Sequence, residues 1–136
     1  MNKLALNKKI LAIDFGDNNV GLAVSDDAGM IAFGKGVIKD YNSLKNLSVK
    51  IKDIIEEDKI SRIVFGLPLG LEENSTAQVE RLRRIGKKLA EAVNVPIFFI
   101  DESFSSFEAR QKFGSKYSEH ELAAMSFLQK YLDDLK

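Results

Sequence analysis

The distribution of apolar and polar positions along the chain predicts strands first, then helices alternating with strands. Apolar runs at 10–15, 20–25 and 30–38 are bounded by Gly, Asp and Asn, and they predict three strands. The turns between these runs are short, so an antiparallel meander is expected. Two continuous apolar runs follow, RIVFGL at 62–67 and PIFFID at 96–101. Such runs are typical of strands that are buried on both faces.

Helical spacing of apolar residues predicts the remaining elements. The first helix carries Leu44, Leu47, Ile51 and Ile54 on one face. Capping boxes mark the starts of three more helices: Ser75-x-x-Gln78, Ser105-x-x-Glu108 and Ser118-x-x-Glu121. The helix from Ser105 is short and ends near Gly114. The other two carry full apolar stripes, which are Val79, Leu82, Gly86, Leu89 and Val93 in the first and Leu122, Met125, Leu128 or Gln129, Leu132 and Leu135 in the second.

The resulting order, βββαβαβαα, predicts an α/β fold built on a mixed five-stranded sheet. An antiparallel three-stranded meander is followed by two parallel strands, with helices on both faces. Right-handed crossovers place the fourth strand beside the first. The carboxyl end of the first strand, with Asp14, then lies near the ends of the fourth and fifth strands, where Gly66 and Glu102 stand.

Composition narrows the class of protein. The 136 residues fall in the usual range for one domain, so residues 1–136 are expected to fold as one unit. Because the chain has no cysteine, it can form neither a disulfide bond nor a thiolate zinc site. The N-terminus MNKLALNKK is too short and polar for a signal peptide, and no apolar run reaches membrane-spanning length, so a cytoplasmic protein is expected. Twenty basic residues balance twenty acidic ones, so any polyanion site must come from local clustering.

Acidic residues stand at the ends of two predicted strands. Asp14 ends the first strand, and Gly16 lets the backbone turn back through Asp17-Asn18-Asn19. A carboxylate in this place commonly holds a divalent metal, although it could equally cap the turn. Asp101 and Glu102 follow the last predicted strand. They are either metal ligands or a solvated strand end.

Four segments, taken in order, resemble the motifs of a known family: IDFGDNNVGLAVSD, VFGLPLGLEENSTAQVERLRRIGKKL, DESFSSFEAR and LAAMSFLQKYL. They are similar to the successive motifs of the YqgF/RuvX family of pre-ribosomal RNA nucleases, also described as Holliday junction resolvase-like, over residues 11–132. The resemblance implies the ribonuclease H-like (RNase H-like) fold. It also implies a cytosolic bacterial phosphodiester hydrolase that uses acidic residues with Mg²⁺ or Mn²⁺ and takes part in the maturation of pre-16S ribosomal RNA.

The resemblance also implies roles for single residues. Asp14 matches the Asp of the family's D-F-G motif and Glu102 the Glu of its D-E-R motif, so both are expected to be catalytic and to bind metal. Two metal ions about 4 Å apart would activate water and neutralise the leaving oxygen. Where the family carries a third acidic residue, at the start of the last helix, this chain has His120, its only histidine.

His120 has two interpretations. It is either a ligand or acid–base group of the reaction, or it merely occupies the place of the family's carboxylate. The electropositive N-terminus of a helix favours the neutral imidazole, which suits zinc or manganese better than magnesium. Its neighbour Glu121 is assigned to the capping box that starts at Ser118.

Basic residues cluster on the helix from Ser75. Arg81, Arg84 and Lys88 share one face opposite the apolar stripe and are expected to track a phosphate backbone. Gln78 and Arg81 match similar residues of the family, while an ordinary solvated helix face is the alternative. Two cations of the family pattern are absent. The turn at 17–19 has no basic residue, and Ser103 stands where the D-E-R arginine is expected.

Functions of different kinds remain open. The first is a metal-dependent nuclease that acts on RNA or branched DNA, with ribosomal precursor particles as an expected partner. The second is a catalytically inactive module of the same fold that binds nucleic acid or the ribosome. A third resemblance links IDFG and its hairpin to the phosphate loop of actin-like and sugar-kinase ATPases. A single domain of this length lacks the second lobe with which such enzymes enclose a nucleotide.

Overall fold

The computed structural model describes residues 8–69, 76–103 and 116–135, in which five strands and three helices are formed. The strands are β1 (Lys9–Phe15), β2 (Asn19–Ser25), β3 (Ala32–Lys39), β4 (Ile60–Leu67) and β5 (Ile97–Asp101). The helices are α1 (Leu44–Asp58), α2 (Thr76–Ala92) and α3 (Glu119–Asp134), and none of these three is long and apolar enough to cross a membrane. The predicted cap at Ser75 and the predicted short helix from Ser105 to Gly114 lie outside the described residues.

The strands form a single sheet in the order β3-β2-β1-β4-β5. β1, β2 and β3 pair antiparallel, whereas β4 pairs parallel with β1 and β5 pairs parallel with β4. The predicted mixed sheet, with the fourth strand beside the first, is confirmed. The carboxyl ends of β1, β4 and β5 consequently open onto the same edge of the sheet, which is where parallel sheets usually carry their sites.

Alternate residues of β1 belong to different layers of the core. Leu11 and Ile13 pack with residues of α1 and α2 in one apolar cluster. Ile10 and Ala12 pack with residues of α3 in the other. The side chains of a strand point alternately to its two faces, so a central strand covered on both faces is apolar throughout. The prediction of helices on both faces is confirmed.

Glycines let α3 lie close against the sheet. A Cβ atom at Gly21 would stand 2.2 Å from the backbone carbonyl of His120, and one at Gly34 would stand 2.6 Å from Oε2 of Glu121. A side chain at Gly21 would push the first turn of α3 away from β2, whereas one at Gly34 would meet only the flexible end of a side chain. Gly21 therefore determines how closely the N-terminus of α3 can approach the sheet, and Gly34 leaves room for the carboxylate of Glu121.

β3 begins at Ala32, later than the apolar pattern predicts. The carboxylate of Asp26 accepts hydrogen bonds from the N–H of Met30 at 2.7 Å and of Ile31 at 3.1 Å. These hydrogen bonds are the main reason that the pKa of Asp26 is lowered. They also hold Met30 and Ile31 in the turn, so that neither residue joins the strand ladder.

Candidate active site

Asp14 lies at the carboxyl end of β1 and is paired in the sheet register with Gly21 of β2. It is only 7% exposed, although an ionised carboxylate is costly to bury without partners. Its Oδ2 atom accepts a hydrogen bond from Nδ1 of His120 at 2.6 Å. Because a carboxylate can only accept, Nδ1 carries the proton in this pair.

Glu102 follows β5 and extends its side chain over β4. Its backbone N–H donates to the carbonyl of Leu67 at 2.9 Å. A Cβ at Gly66 would stand 2.7 Å from Oε2 of Glu102, so glycine at this position gives the carboxyl group its space. Oε2 is buried and meets no hydrogen-bond donor from residues 8–69, 76–103 or 116–135.

The carboxyl groups of Glu102 and Asp14 interact directly. Burial, the hydrogen bond with Asp14 and the negative charges of Asp14 and Asp101 raise the pKa of Glu102 to about 10. Two acidic groups at close range cannot both ionise cheaply in a buried site. Without a cation, Glu102 therefore keeps its proton at neutral pH.

Asp101 is placed differently from its neighbour Glu102. Its Oδ1 atom accepts hydrogen bonds from the N–H of Ser103 at 3.0 Å and from the hydroxyl of Ser103 at 2.7 Å. Desolvation alone would raise the pKa of Asp101. The pKa is nevertheless lowered, because Ser103 and the backbone of Leu69 donate hydrogen bonds to this carboxylate and Lys130 adds a positive charge. Ser103, at the position where the family pattern has arginine, thus holds Asp101 at the exposed strand end while Glu102 turns inward.

His120 is the second residue of α3, and its ring lies against the turn after β1. A Cβ at Gly16 would stand 2.8 Å from Cε1 and 3.0 Å from Nε2 of the ring, so Gly16 leaves room for the imidazole. The hydrogen bond with Asp14 is the main cause that raises the pKa of His120. Partial burial opposes the rise, and the charges of Asp14 and Glu119 add to it. The helix N-terminus was expected to lower the pKa of His120, but the pKa is raised, because contact with a carboxylate outweighs the helix dipole.

Glu121 makes only half of the predicted capping box. Its N–H donates to Oγ of Ser118 at 3.2 Å, which caps α3 as expected. Its side chain does not turn back to the cap residue. Instead, Oε2 accepts a hydrogen bond from the N–H of Gly36 in β3 at 2.6 Å. The assignment of this side chain to the capping box is therefore corrected.

Asp14, Glu102 and His120 come together from three segments that are distant in the sequence. The buried Oε2 of Glu102, lacking a donor and lying beside a second carboxyl group, is an environment that suits a divalent cation. In the part of the chain that the structure describes, no group of three or more Asp, Glu, His or Cys side chains is arranged to hold a metal ion. The donor set therefore fits a cation held by two carboxylates, with water and substrate oxygens as the remaining ligands.

The basic face of α2 is tied to the turn that follows Asp14. Arg81 forms an ion pair with Asp17, so α2 brings a cation to a turn that contains none of its own. Arg83 lies 5.5 Å from the centre of the Phe99 ring, on the side of α2 that faces the sheet. Gln78, Arg84 and Lys88 are exposed. Arg81 is thus partly neutralised, and Arg84 and Lys88 are the basic residues of this face that remain open to solvent.

Gly16 and Gly21 shape the site without carrying chemistry, and reasoning from the sequence does not assign them this role. Gly16 appears there only as the residue that lets the turn form, and Gly21 only as a strand residue. Their contacts with His120 follow from the approach of α3 to the sheet. The available signal is a glycine inside an otherwise apolar strand, which often marks a place where another backbone comes near.

Comparison with known proteins adds relatives of almost the same length. Residues 8–134 match the family model described as "RuvX: Holliday junction resolvase". Proteins of Dictyoglomus turgidum and Thermoanaerobacter pseudethanolicus, both named "Putative pre-16S rRNA nuclease", are 34% and 33% identical to this chain. The alignments cover 93% and 94% of this chain and 95% and 98% of the relatives.

A solved structure shares the architecture. RuvC of T. thermophilus in complex with Holliday junction substrate superposes with a TM-score of 0.61 at 13% identity, and the match covers 93% of this chain and 96% of that one. Because the sequence identity is low, this likeness concerns the fold alone. It confirms the RNase H-like class that the sequence predicts.

Proposed function

The chain belongs to the RuvX family, and on that premise we propose that it is a metal-dependent nuclease that hydrolyses phosphodiester bonds in structured nucleic acid. The observation that carries the proposal is the convergence of Asp14, Glu102 and His120 at the carboxyl ends of neighbouring strands. Relatives named as pre-16S rRNA nucleases support precursor 16S ribosomal RNA as the substrate. The proposal places the protein in the bacterial cytoplasm, where that RNA is transcribed.

Asp14 and Glu102 are the residues that would hold Mg²⁺ or Mn²⁺. When bound, such a cation makes water more acidic and neutralises charge on the leaving oxygen. Glu102 must give up its proton to act as a ligand, so metal affinity is expected to rise with pH. Gly66 supports this role, because it leaves the carboxyl group of Glu102 room beside β4.

His120 is proposed to move a proton during cleavage. Its Nδ1 atom is bound to Asp14, which orients the ring, so Nε2 beside Gly16 is the atom left for the reaction. The contact with Asp14 also favours the protonated ring. We therefore assign His120 the donation of a proton from Nε2 to the leaving oxygen.

The exposed basic residues of α2 are proposed to guide the nucleic acid. Arg84 and Lys88 would contact phosphates, and Gln78 would contribute from the first turn of the same helix. Arg81 joins this face to the turn after Asp14 through its ion pair with Asp17. A strand that runs along α2 would thereby reach the carboxyl edge of the sheet.

A cleavage assay with two matched variants tests the proposal. The full chain is incubated with a labelled fragment of precursor 16S RNA or with a four-way DNA junction, in Mg²⁺, Mn²⁺ or EDTA. Asp14→Asn should lower the rate by more than about 100-fold, because even an outer partner of a metal ligand is worth roughly 10- to 100-fold. Asp27→Asn, an exposed turn residue, is the control and should cleave like the parent. Equal cleavage in EDTA, or by Asp14→Asn, would contradict the proposal.

The choice of substrate is decided in the same assay. Cleavage of the RNA fragment and not of the junction supports ribosomal RNA processing. Cleavage of the junction alone would make the protein a resolvase of branched DNA. Both outcomes keep the nuclease proposal and differ only in the nucleic acid.

One observation favours a second function, a nucleic-acid-binding module without catalysis. His120 stands in place of the family's carboxylate and takes Oδ2 of Asp14, an atom that a metal would need. If this contact persists in the presence of metal, the site would lack a full set of ligands. Binding of RNA or of ribosomal precursor particles without cleavage in either metal would establish this alternative.

A further inference from the structure

The N-terminal turn of α3 is attached to the sheet on two sides. His120 binds Asp14 of β1 through Nδ1 at 2.6 Å. The next residue, Glu121, binds the N–H of Gly36 in β3 through Oε2 at 2.6 Å. Consecutive residues of one helical turn thus contact strands on opposite sides of β2, which lies between them in the sheet.

β3 is shaped to receive the carboxylate of Glu121. The pairing of β2 with β3 shifts register between Leu22 and Ala23, which leaves Lys35 as an extra residue between Gly34 and Gly36. Gly36 has φ +96°, a conformation that L side chains rarely adopt. The bulge turns the N–H of Gly36 toward α3 as a hydrogen-bond donor. Bulges commonly redirect the groups of a strand in this way, and they are frequent beside active sites.

Gly34 supplies the space for the same contact. A Cβ at this position would stand 2.6 Å from Oε2 of Glu121. The segment Gly34-Lys35-Gly36 therefore provides both a gap and a donor for one carboxylate. Two glycines in an eight-residue strand weaken it, and the contact with Glu121 accounts for both of them.

The hydrogen bond between Glu121 and Gly36 matters for the site because the first turn of α3 also carries His120. The backbone carbonyl of His120 lies directly over Gly21, the residue that is paired with Asp14. A small rotation of the first turn would carry the imidazole off Oδ2 of Asp14. Displacements of about 1 Å at a reacting group can cost on the order of 100-fold in rate. A charge-assisted hydrogen bond on the far side of the turn resists such a rotation.

We propose that Glu121 is a positioning residue: by binding the bulge at Gly36 it fixes the first turn of α3 so that His120 stays on Asp14. The inference deepens the proposed function and rests on it only for the consequence in catalysis. The geometric claim is independent of whether the protein cleaves any substrate.

The imidazole hydrogen bond offers a direct measurement. His120 is the only histidine of the chain, so its ring gives the only imidazole signals in a ¹H–¹⁵N spectrum. A proton on Nδ1 that is bound to a carboxylate at 2.6 Å should resonate far downfield. We expect Glu121→Ala to lose this signal and Glu121→Gln to retain it, since the amide oxygen of Gln can also accept from Gly36.

Two further variants separate positioning from general attachment. The Cβ of Gly34→Ala would meet the flexible side-chain ends of Glu121 and Met125 but no backbone atom of α3, so this variant should displace the Glu121 carboxylate and lose the same signal. Gln129→Ala removes another contact between α3 and β3, in which the Gln129 amide binds the backbone of Ala32 and Met30. This control should keep the signal. Circular dichroism verifies folding, and if Glu121→Ala does not fold, Gly34→Ala decides the question.

The outcomes are distinct. Loss of the downfield proton in Glu121→Ala and Gly34→Ala, with retention in Glu121→Gln and Gln129→Ala, supports the proposal. Its persistence in a folded Glu121→Ala overturns it, as does equal loss in Gln129→Ala or absence of the signal from the parent. If the parent cleaves nucleic acid, the two disruptive variants should lower kcat about tenfold or more with KM unchanged. A parent without nuclease activity leaves the spectroscopic result intact, so failure of the proposed function is distinguishable from failure of this inference.

Discussion

Replacing Glu102 by Gln should stabilise the metal-free protein and change how its stability depends on pH. The pKa of Glu102 is raised from 4.5 to about 10, chiefly by burial and by its contact with Asp14. Between these values the folded state holds a proton that the unfolded state has released, so the free energy of unfolding of the parent falls as pH rises. Gln imitates the protonated acid in size and hydrogen bonding and does not titrate.

The size of the effect follows from one proton. A full proton difference changes stability by about 1.4 kcal/mol per pH unit, or about 3 kcal/mol between pH 6 and pH 8. Solvent and relaxation reduce this value at a carboxyl group that is not completely buried. We therefore expect the stability of Glu102→Gln relative to the parent to increase by about 1 to 3 kcal/mol over this range. The pKa of His120 is also raised, so the contribution of this residue to stability falls as pH rises in both proteins, and comparing the two proteins isolates Glu102.

Urea unfolding in EDTA at pH 6, 7 and 8 measures the difference. Asp101→Asn is the matched control on the same strand end, because the pKa of Asp101 is lowered and its loss should add no slope in this range. Excess Mg²⁺ or Mn²⁺ should stabilise the parent at pH 8 more than Glu102→Gln, since a cation favours the ionised pair. Parallel pH profiles of the parent and Glu102→Gln in EDTA would refute the reasoning, because they would show that Glu102 holds no extra proton in the folded state.

Three further predictions concern activity, binding and packing. His120→Ala should lower magnesium-dependent cleavage by about 100-fold or more, because it removes the proton donor to the leaving oxygen; a parent that cleaves well in Mg²⁺ and is unaffected by His120→Ala would contradict this. The double variant Arg84→Glu, Lys88→Glu should bind RNA more weakly than the parent. In filter binding, the slope of log affinity against log salt concentration should flatten by about 1 to 2 units. The control pair Lys50→Glu, Lys52→Glu, on the exposed face of α1, should leave this slope unchanged. Equal slopes for the two pairs would show that the α2 face does not meet the backbone. Gly21→Ala should cost about 3 kcal/mol or more in urea unfolding, because its Cβ would stand 2.2 Å from the His120 carbonyl. Gly29→Ala, in open space at φ +70°, should cost only about 1 kcal/mol, and equal costs would mean that α3 moves away from β2 freely.

The layout of the sheet could be predicted from the sequence because it depends on short-range patterns. Apolar runs of strand length, helical stripes and tight Gly/Asp/Asn turns each act over a few residues. The handedness of β–α–β connections then leaves the fourth strand only one place, beside the first. Asp14 and Glu102 could be assigned to one edge of the sheet for the same reason. The bounds of β3 were less accurate, because the Asp26 side chain competes for the N–H groups of Met30 and Ile31.

Only the tertiary structure decided how the side chains at that edge are used. The family resemblance selected Glu102 rather than Asp101, but the strand pattern treated the two residues alike, assigned Glu121 to its own helix and gave the turn at Asp17 no cation. In the folded chain Glu102 enters a space beside Gly66, Glu121 binds Gly36, and Arg81 reaches Asp17.

The physical reason is that these contacts depend on how closely distant segments approach and on how much water they exclude. A pattern of apolar and polar positions specifies which face of an element is buried. It does not specify the few tenths of an ångström by which a glycine admits a carbonyl, nor the burial that keeps a proton on Glu102. Sequence alone thus determined the order of the sheet and the acidic residues at its carboxyl edge, while packing of α3 on the sheet determined the partners of these residues and their protonation.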